Sequence, residues 1–131
     1  MIPSDLRHFK SSEFKHPNLV NADAVRFLDR VRERCGLPII LTDDARTEDD
    51  HPSGEGVHSL HHLGQAFDIR IRQWSKEDLW LFIAAVIAEA ALLPSAQRGV
   101  ELELVWSAKD KHAHIGCYLN GRRDRFVPAT D

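Results

Sequence analysis

The sequence predicts a small α+β domain, with a mostly antiparallel sheet carrying its helices packed on one face. Three observations predict it: strict alternation over residues 66–72 and 100–106, a short polar link from the second run to a further alternating one, and two stretches with helical spacing of apolar residues. The chain has 131 residues, 43% hydrophobic and 28% charged, which fits a single domain over 1–131. At this size folding removes roughly two-thirds of the unfolded surface from water, so the core needs no disulfide or metal to hold it.

The elements follow in order. Asn21 is placed to cap a helix whose apolar residues Ala24, Phe27, Leu28, Val31 and Cys35 share one face, and Gly36 is placed to stop it. Ile39, Ile40 and Leu41 follow Pro38 as a short apolar run, read as a central strand ending near Thr42. A long irregular stretch over 43–59, rich in Asp, Glu, Gly, Pro and Ser, begins at that strand's end. Loops of this length in a small domain are usually functional or disordered.

In the run 66–72, Phe67, Ile69 and Ile71 lie on one side and Asp68, Arg70 and Arg72 on the other, which predicts a half-buried strand with Asp68 on its polar face. Ser75 and Asp78 form a capping box that opens a helix through Trp80, Phe82, Ile83 and Val86, closed by Pro94. The apolar run over 79–93, broken by Glu89, falls short of the ~20 residues needed to cross a bilayer and reads as a buried helix at the centre of the core. Leu102, Leu104 and Trp106 then oppose Glu101, Glu103 and Val105, and the link SAKDK leads to Ala113, Ile115, Cys117 and Leu119, which predicts a β-hairpin. Because strand side chains alternate, His112 and His114 share the face opposite Ala113, Ile115 and Cys117.

Composition narrows the function classes. Lys plus Arg is 17 against 20 Asp plus Glu, a net charge of −3, and no basic stripe is present to recruit nucleic acid. Cys35 and Cys117 have no zinc or redox spacing and read as core thiols. The N-terminus MIPSDLRHFKSSEF lacks the apolar stretch of a secretory signal, so synthesis and retention in the cytoplasm are expected, with no membrane partner and a monomeric state. Trp74, Trp80 and Trp106 are expected in the core or at its rim.

Histidine is where chemistry is legible: of eight, His51, His58, His61, His62, His112 and His114 fall in two short stretches. His61 and Asp68 bracket Gly64, so a turn leading into a strand brings an imidazole and a carboxylate together, and His114 joins them from the hairpin. Two imidazoles and a carboxylate with a fourth position open make a catalytic zinc arrangement, and these ligand types favour zinc over calcium or magnesium. His51, His58 and His62 are near in sequence but are expected to point elsewhere.

The string SLHHLGQAFD over 59–68 fits S-x-H-x-x-G-x-A-x-D at Ser59, His61, Gly64, Ala66 and Asp68. It resembles the zinc D-Ala-D-Ala carboxypeptidase and Hedgehog-type peptidase family, which includes phage endolysins that cut peptidoglycan peptides. His112-Ala113-His114-Ile115-Gly116 resembles that family's second metal segment, and FKSSEF, RERCGLPIILT and the arginine after it resemble the compact phage and bacterial members. The likeness covers most of the chain.

The resemblance implies a Hedgehog-like fold in which His61, Asp68 and His114 hold zinc; in the H-x-H pair either imidazole can bind metal while the other donates to or orients the reacting group, and His112 is placed beside the metal. It also implies a catalytic acid or base a few residues before the last ligand. Asp110 stands four residues before His114, whereas many members keep a three-residue offset, occupied here by Lys111. Asp110 and His112 are therefore competing candidates, with Glu103 a more distant one. Arg46 matches the family arginine that can hold a substrate carboxylate or polarise the scissile carbonyl, although a salt bridge to Asp43, Asp44 or Glu48 is the plainer reading. Ser59 is expected to orient the metal loop near substrate, and Gly64 to supply a backbone conformation closed to other residues.

The expected activity is zinc-dependent hydrolysis of an amide bond in D-amino-acid-containing peptidoglycan peptides, as a carboxypeptidase or an endopeptidase, after release through a membrane lesion in the manner of a phage lysis enzyme. Two other readings are a zinc-bound binding module without catalysis and a phage structural component of the same fold.

Overall fold

The computed structural model describes residues 2–45, 60, 61, 63–94 and 99–118. A short 3-10 turn at Ser11–Glu13 precedes helix α1, Ala22–Cys35. Strand β1 is Ile40–Asp43, β2 is Ala66–Arg70, helix α2 is Lys76–Leu92, and β3, Gly99–Trp106, and β4, Lys111–Tyr118, form the hairpin. The four strands form one antiparallel sheet in the order β1-β2-β4-β3.

Helix α1 begins and ends where its capping chemistry places it. The Asn21 side chain accepts from the backbone N–H groups of Asp23 and Ala24 at 2.9 and 3.1 Å, and Gly36, in the left-handed region, donates to the Arg32 carbonyl. Its buried residues Ala24, Val25, Phe27, Leu28 and Val31 join Phe67, Ile69 and Ile71 from the β2 segment and Ala113, Ile115 and Cys117 from β4 in one apolar core. The opposite face of the sheet carries Asp68, Arg70, His112 and His114.

Three expectations are corrected. Among the described residues, the apolar run 39–41 forms an edge strand, not a central one: β1 pairs there with β2 alone, and Ile40 is 43% exposed while Ile39 is buried. Three consecutive apolar residues do not distinguish the two positions, because alternation turns one of them outward wherever a face lacks cover. Cys117 is buried, but Cys35 is only half-buried at the edge of the core; both are free thiols, and burial pushes Cys117 up to about 12.

Helix α2 is the third correction. Ser75 and Asp78 do form the reciprocal capping box, each backbone N–H donating to the other's side chain at 3.1 Å. The helix is not buried all round, however. It is held by Phe82, Ala85, Val86 and Glu89, while Trp80, Leu81, Ile87 and Leu92 face outward, with Trp80 68% exposed. Glu89 accounts for the packing: its carboxylate, buried on the inner face, pairs with Arg30 at 3.2 Å and Arg34 at 2.7 Å on α1. Of the tryptophans, Trp74 is in the core against Phe82, Trp80 is on the surface, and Trp106 is partly exposed beneath the Lys111 ammonium.

Candidate metal centre

The site is assembled from a turn, a strand and a hairpin. Residues 60, 61 and 63–65 are held in a tight turn by Leu63 N–H to Leu60 O, Gly64 N–H to His61 O and Gln65 N–H to Leu60 O. Gly64 has φ +70°, and a Cβ there would fall on the Leu19 backbone carbonyl; its own carbonyl accepts from Asn21 N–H at 2.8 Å. The turn that carries His61 is thereby locked against the start of α1. From Ala66 the chain enters β2, and the register sets Asp68 opposite His114 and Arg70 opposite His112.

This places His61, Asp68 and His114 together, each offering one ligand atom, all within 4.8 Å of one another. Asp68 Oδ1 lies 3.3 Å from His61 Nε2 and 3.1 Å from His114 Nδ1. The outer nitrogens of both imidazoles are engaged. His61 Nδ1 bonds the Asp44 backbone carbonyl at 2.6 Å, so it carries the proton and leaves Nε2 free to ligate. His114 Nε2 bonds Glu101 at 2.6 Å, and the Tyr118 hydroxyl donates to the other Glu101 oxygen, also at 2.6 Å. Oriented imidazoles with both outer nitrogens bonded, and a carboxylate between them, form a donor set that can hold a metal ion.

Electrostatics support the same grouping. Burial would push the His114 pKa down, but hydrogen bonds and charge from Asp68 and Glu101 outweigh it and raise it to about 10. Burial acts on Asp68 in the opposite sense, and the two histidines outweigh it, holding its carboxyl well below the usual carboxylate range.

Asp110 and His112 meet each other. The hairpin turn is closed by Ser107 N–H to Asp110 O, and Asp110 N–H returns to Ser107 Oγ, which fixes Asp110 beside His112. His112 Nδ1 lies 3.1 Å from both Asp110 oxygens. Glu103 is buried and stands cross-strand from His114. Arg46, Ser59, His51, His58 and His62 lie outside the described residues.

Spacing alone does not single out Glu101 or Asp44. Glu101 pairs in register with Gly116, which has no side chain, so its carboxylate leans diagonally to His114 and Tyr118, the residues two before and two after. A Cβ at position 116 would come within 2.9 Å of Glu101 Cγ. The signal was the glycine of His-Ala-His-Ile-Gly, but it becomes readable only once the hairpin register is known. Asp44 is fully buried: its carboxylate accepts from the backbone N–H groups of Lys15, at 2.6 Å, and His16, and lies 3.1 Å from His16 Nδ1. It ties the N-terminal segment to the carbonyl that holds His61. A scan of family models, a search of curated proteins and a search of solved structures found no match to this chain.

Proposed function

We propose that this protein is a zinc-dependent peptidase that hydrolyses an amide bond in D-amino-acid-containing peptides of bacterial peptidoglycan. The observation that carries the reading is the convergence of His61, Asp68 and His114, drawn from the two segments that resemble the zinc D-Ala-D-Ala carboxypeptidase and Hedgehog-type family, on the polar face of the sheet. His61 Nε2, Asp68 Oδ1 and His114 Nδ1 would hold the ion. When bound there, zinc supplies Lewis acidity, activating water and polarising the scissile carbonyl.

The remaining roles belong to the chain's own groups. Asp44 and Glu101 fix the two imidazoles in orientation. Asp110 accepts from His112 Nδ1, which leaves His112 Nε2 free to take a proton from attacking water and return it to the leaving amine. The two candidate bases thus act as one pair, with His112 the proton carrier and Asp110 its orienting partner. The resemblance assigns Arg46 to the substrate carboxylate or scissile carbonyl and Ser59 to the metal loop. A Hedgehog-like fold and a role in lysis, reached after release through a membrane lesion, belong to the same proposal.

Release of soluble peptide from purified peptidoglycan, with and without a chelator, tests it. Chelator-sensitive release that is lost in His112→Ala supports the peptidase. Bound zinc without release from any wall type would turn the assignment to a metal-stabilised binding module.

A further inference from the structure

We infer that the outward face of α2 pairs with the same face of a second copy of this chain, giving a two-fold dimer that leaves both candidate metal centres open. The inference is independent of the peptidase reading and departs from the monomeric state expected of the sequence. From Trp80 to Leu92 the helix carries one charged residue, Glu89, and that carboxylate is turned inward to Arg30 and Arg34 on α1. Phe82, Ala85 and Val86 fill the core on the sheet face away from Asp68 and His114. What faces outward is therefore apolar: Trp80, Ala84, Ile87 and Ala91 at helical spacing, all exposed, with Leu81 and Leu92 along one flank. A helix that is apolar all round is normally covered all round.

Area and shape select the occupant. Trp80, Leu81, Ile87 and Leu92 are 68%, 52%, 63% and 70% exposed. Together they leave roughly 500 Å² of apolar surface open, near the upper limit for the largest patch on a monomer. Two such faces bury roughly 1,000 Å², enough for a specific interface when the two surfaces fit.

The fit lies in the order of the side chains. The central stripe runs large, small, large, small: Trp80, Ala84, Ile87, Ala91. About a dyad between Ala84 and Ile87, an antiparallel copy sets Trp80 against the partner's Ala91 and Ile87 against the partner's Ala84. Every layer then joins a large side chain to a small one, and on the flank Leu81 meets the partner's Leu92. The layers span about 16 Å of helix. A lipid surface fits less well. Helix α2 carries Glu77, Asp78 and Glu89 against a single Lys76, and the chain's net charge is −3, whereas interfacial helices present Lys and Arg.

Sedimentation equilibrium of the purified full chain, over about 1–200 µM, tests the pairing: the mass should climb from one chain to two with concentration. Ile87→Glu, which places a charge at the centre of the interface and touches no core residue, should weaken association by at least about 30-fold with circular dichroism unchanged. In a Cys35→Ser background, Trp80→Cys/Ala91→Cys should oxidise to a covalent dimer and Ala91→Cys alone should not, because about 16 Å of helix separates the two positions within one chain. That cross-link carries the inference even where Ile87→Glu fails to fold. A wild type that stays monomeric throughout, a dimer that Ile87→Glu leaves intact, or absence of the cross-link would overturn it. A monomer that sediments with phosphatidylcholine–phosphatidylglycerol vesicles, and no longer does so as Ile87→Glu, would assign the face to lipid instead.

Discussion

His114 is bonded at both ring nitrogens to carboxylates, Asp68 on one side and Glu101 on the other, and this determines what the residue does with and without metal. Were a metal held there, Glu101 would accept from Nε2–H and leave Nδ1 as the ligand atom. Glu101→Gln should keep the shape but weaken the acceptor, lowering zinc affinity about 10–100-fold and also lowering zinc-free stability near pH 7, because the Glu101 charge helps hold the His114 proton. Competition against a chelating dye measures this, and unchanged affinity would remove Glu101 from the site. Without metal, hydrogen bonds and charge from Asp68 and Glu101 favour the protonated form of His114 at neutral pH. Its folded pKa of about 10 lies above its ordinary 6.5, so its stabilisation is complete below about pH 6.5 and is lost as pH rises through 10. Asp68 has the opposite sign: its folded pKa lies below the ordinary 3.8, so its contribution is present above that pH and is lost as pH falls. Zinc requires neutral His114 and displaces the proton. Denaturant unfolding at pH 7 and 9.5 should therefore show an alkaline loss of stability in the zinc-free protein that zinc suppresses, and parallel losses in both forms would contradict the assignment.

At the scale of elements, the capping residues, the alternation of β2 and the sharing of one face by His112 and His114 were legible because each follows from local chemistry and a fixed period. Exposure of β1 and α2 was not. Ile40 and Trp80 are as apolar as their buried neighbours, and only the arrangement of the other elements decides which face is covered. Glu89 was visible as a break in an apolar run, but its partners Arg30 and Arg34 lie on a helix far away in sequence. Glu89→Ala should cost about 1–2 kcal/mol, below the usual loss for a broken buried pair because both arginines remain nearly half exposed to water. Thermal or denaturant unfolding measures it; a neutral result would show that α2 is held by its apolar stripe alone.

For the whole molecule, the α+β class and the grouping of His61, Asp68 and His114 followed from sequence, whereas Glu101 required the strand register that sets it beside His114. One sheet serves two purposes: Phe67, Ile69, Ile71, Ala113, Ile115 and Cys117 build the core, and the alternate residues build the site. The core closes without help from the polar face, so the account requires that metal binding and folding be separable. Zinc stoichiometry of the purified chain and of His61→Ala, by elemental analysis with circular dichroism on the same samples, tests this directly. The account predicts about one zinc per wild-type chain, and loss of tight binding with the fold retained in the variant. Undiminished zinc in His61→Ala, or global unfolding of that variant, would contradict it.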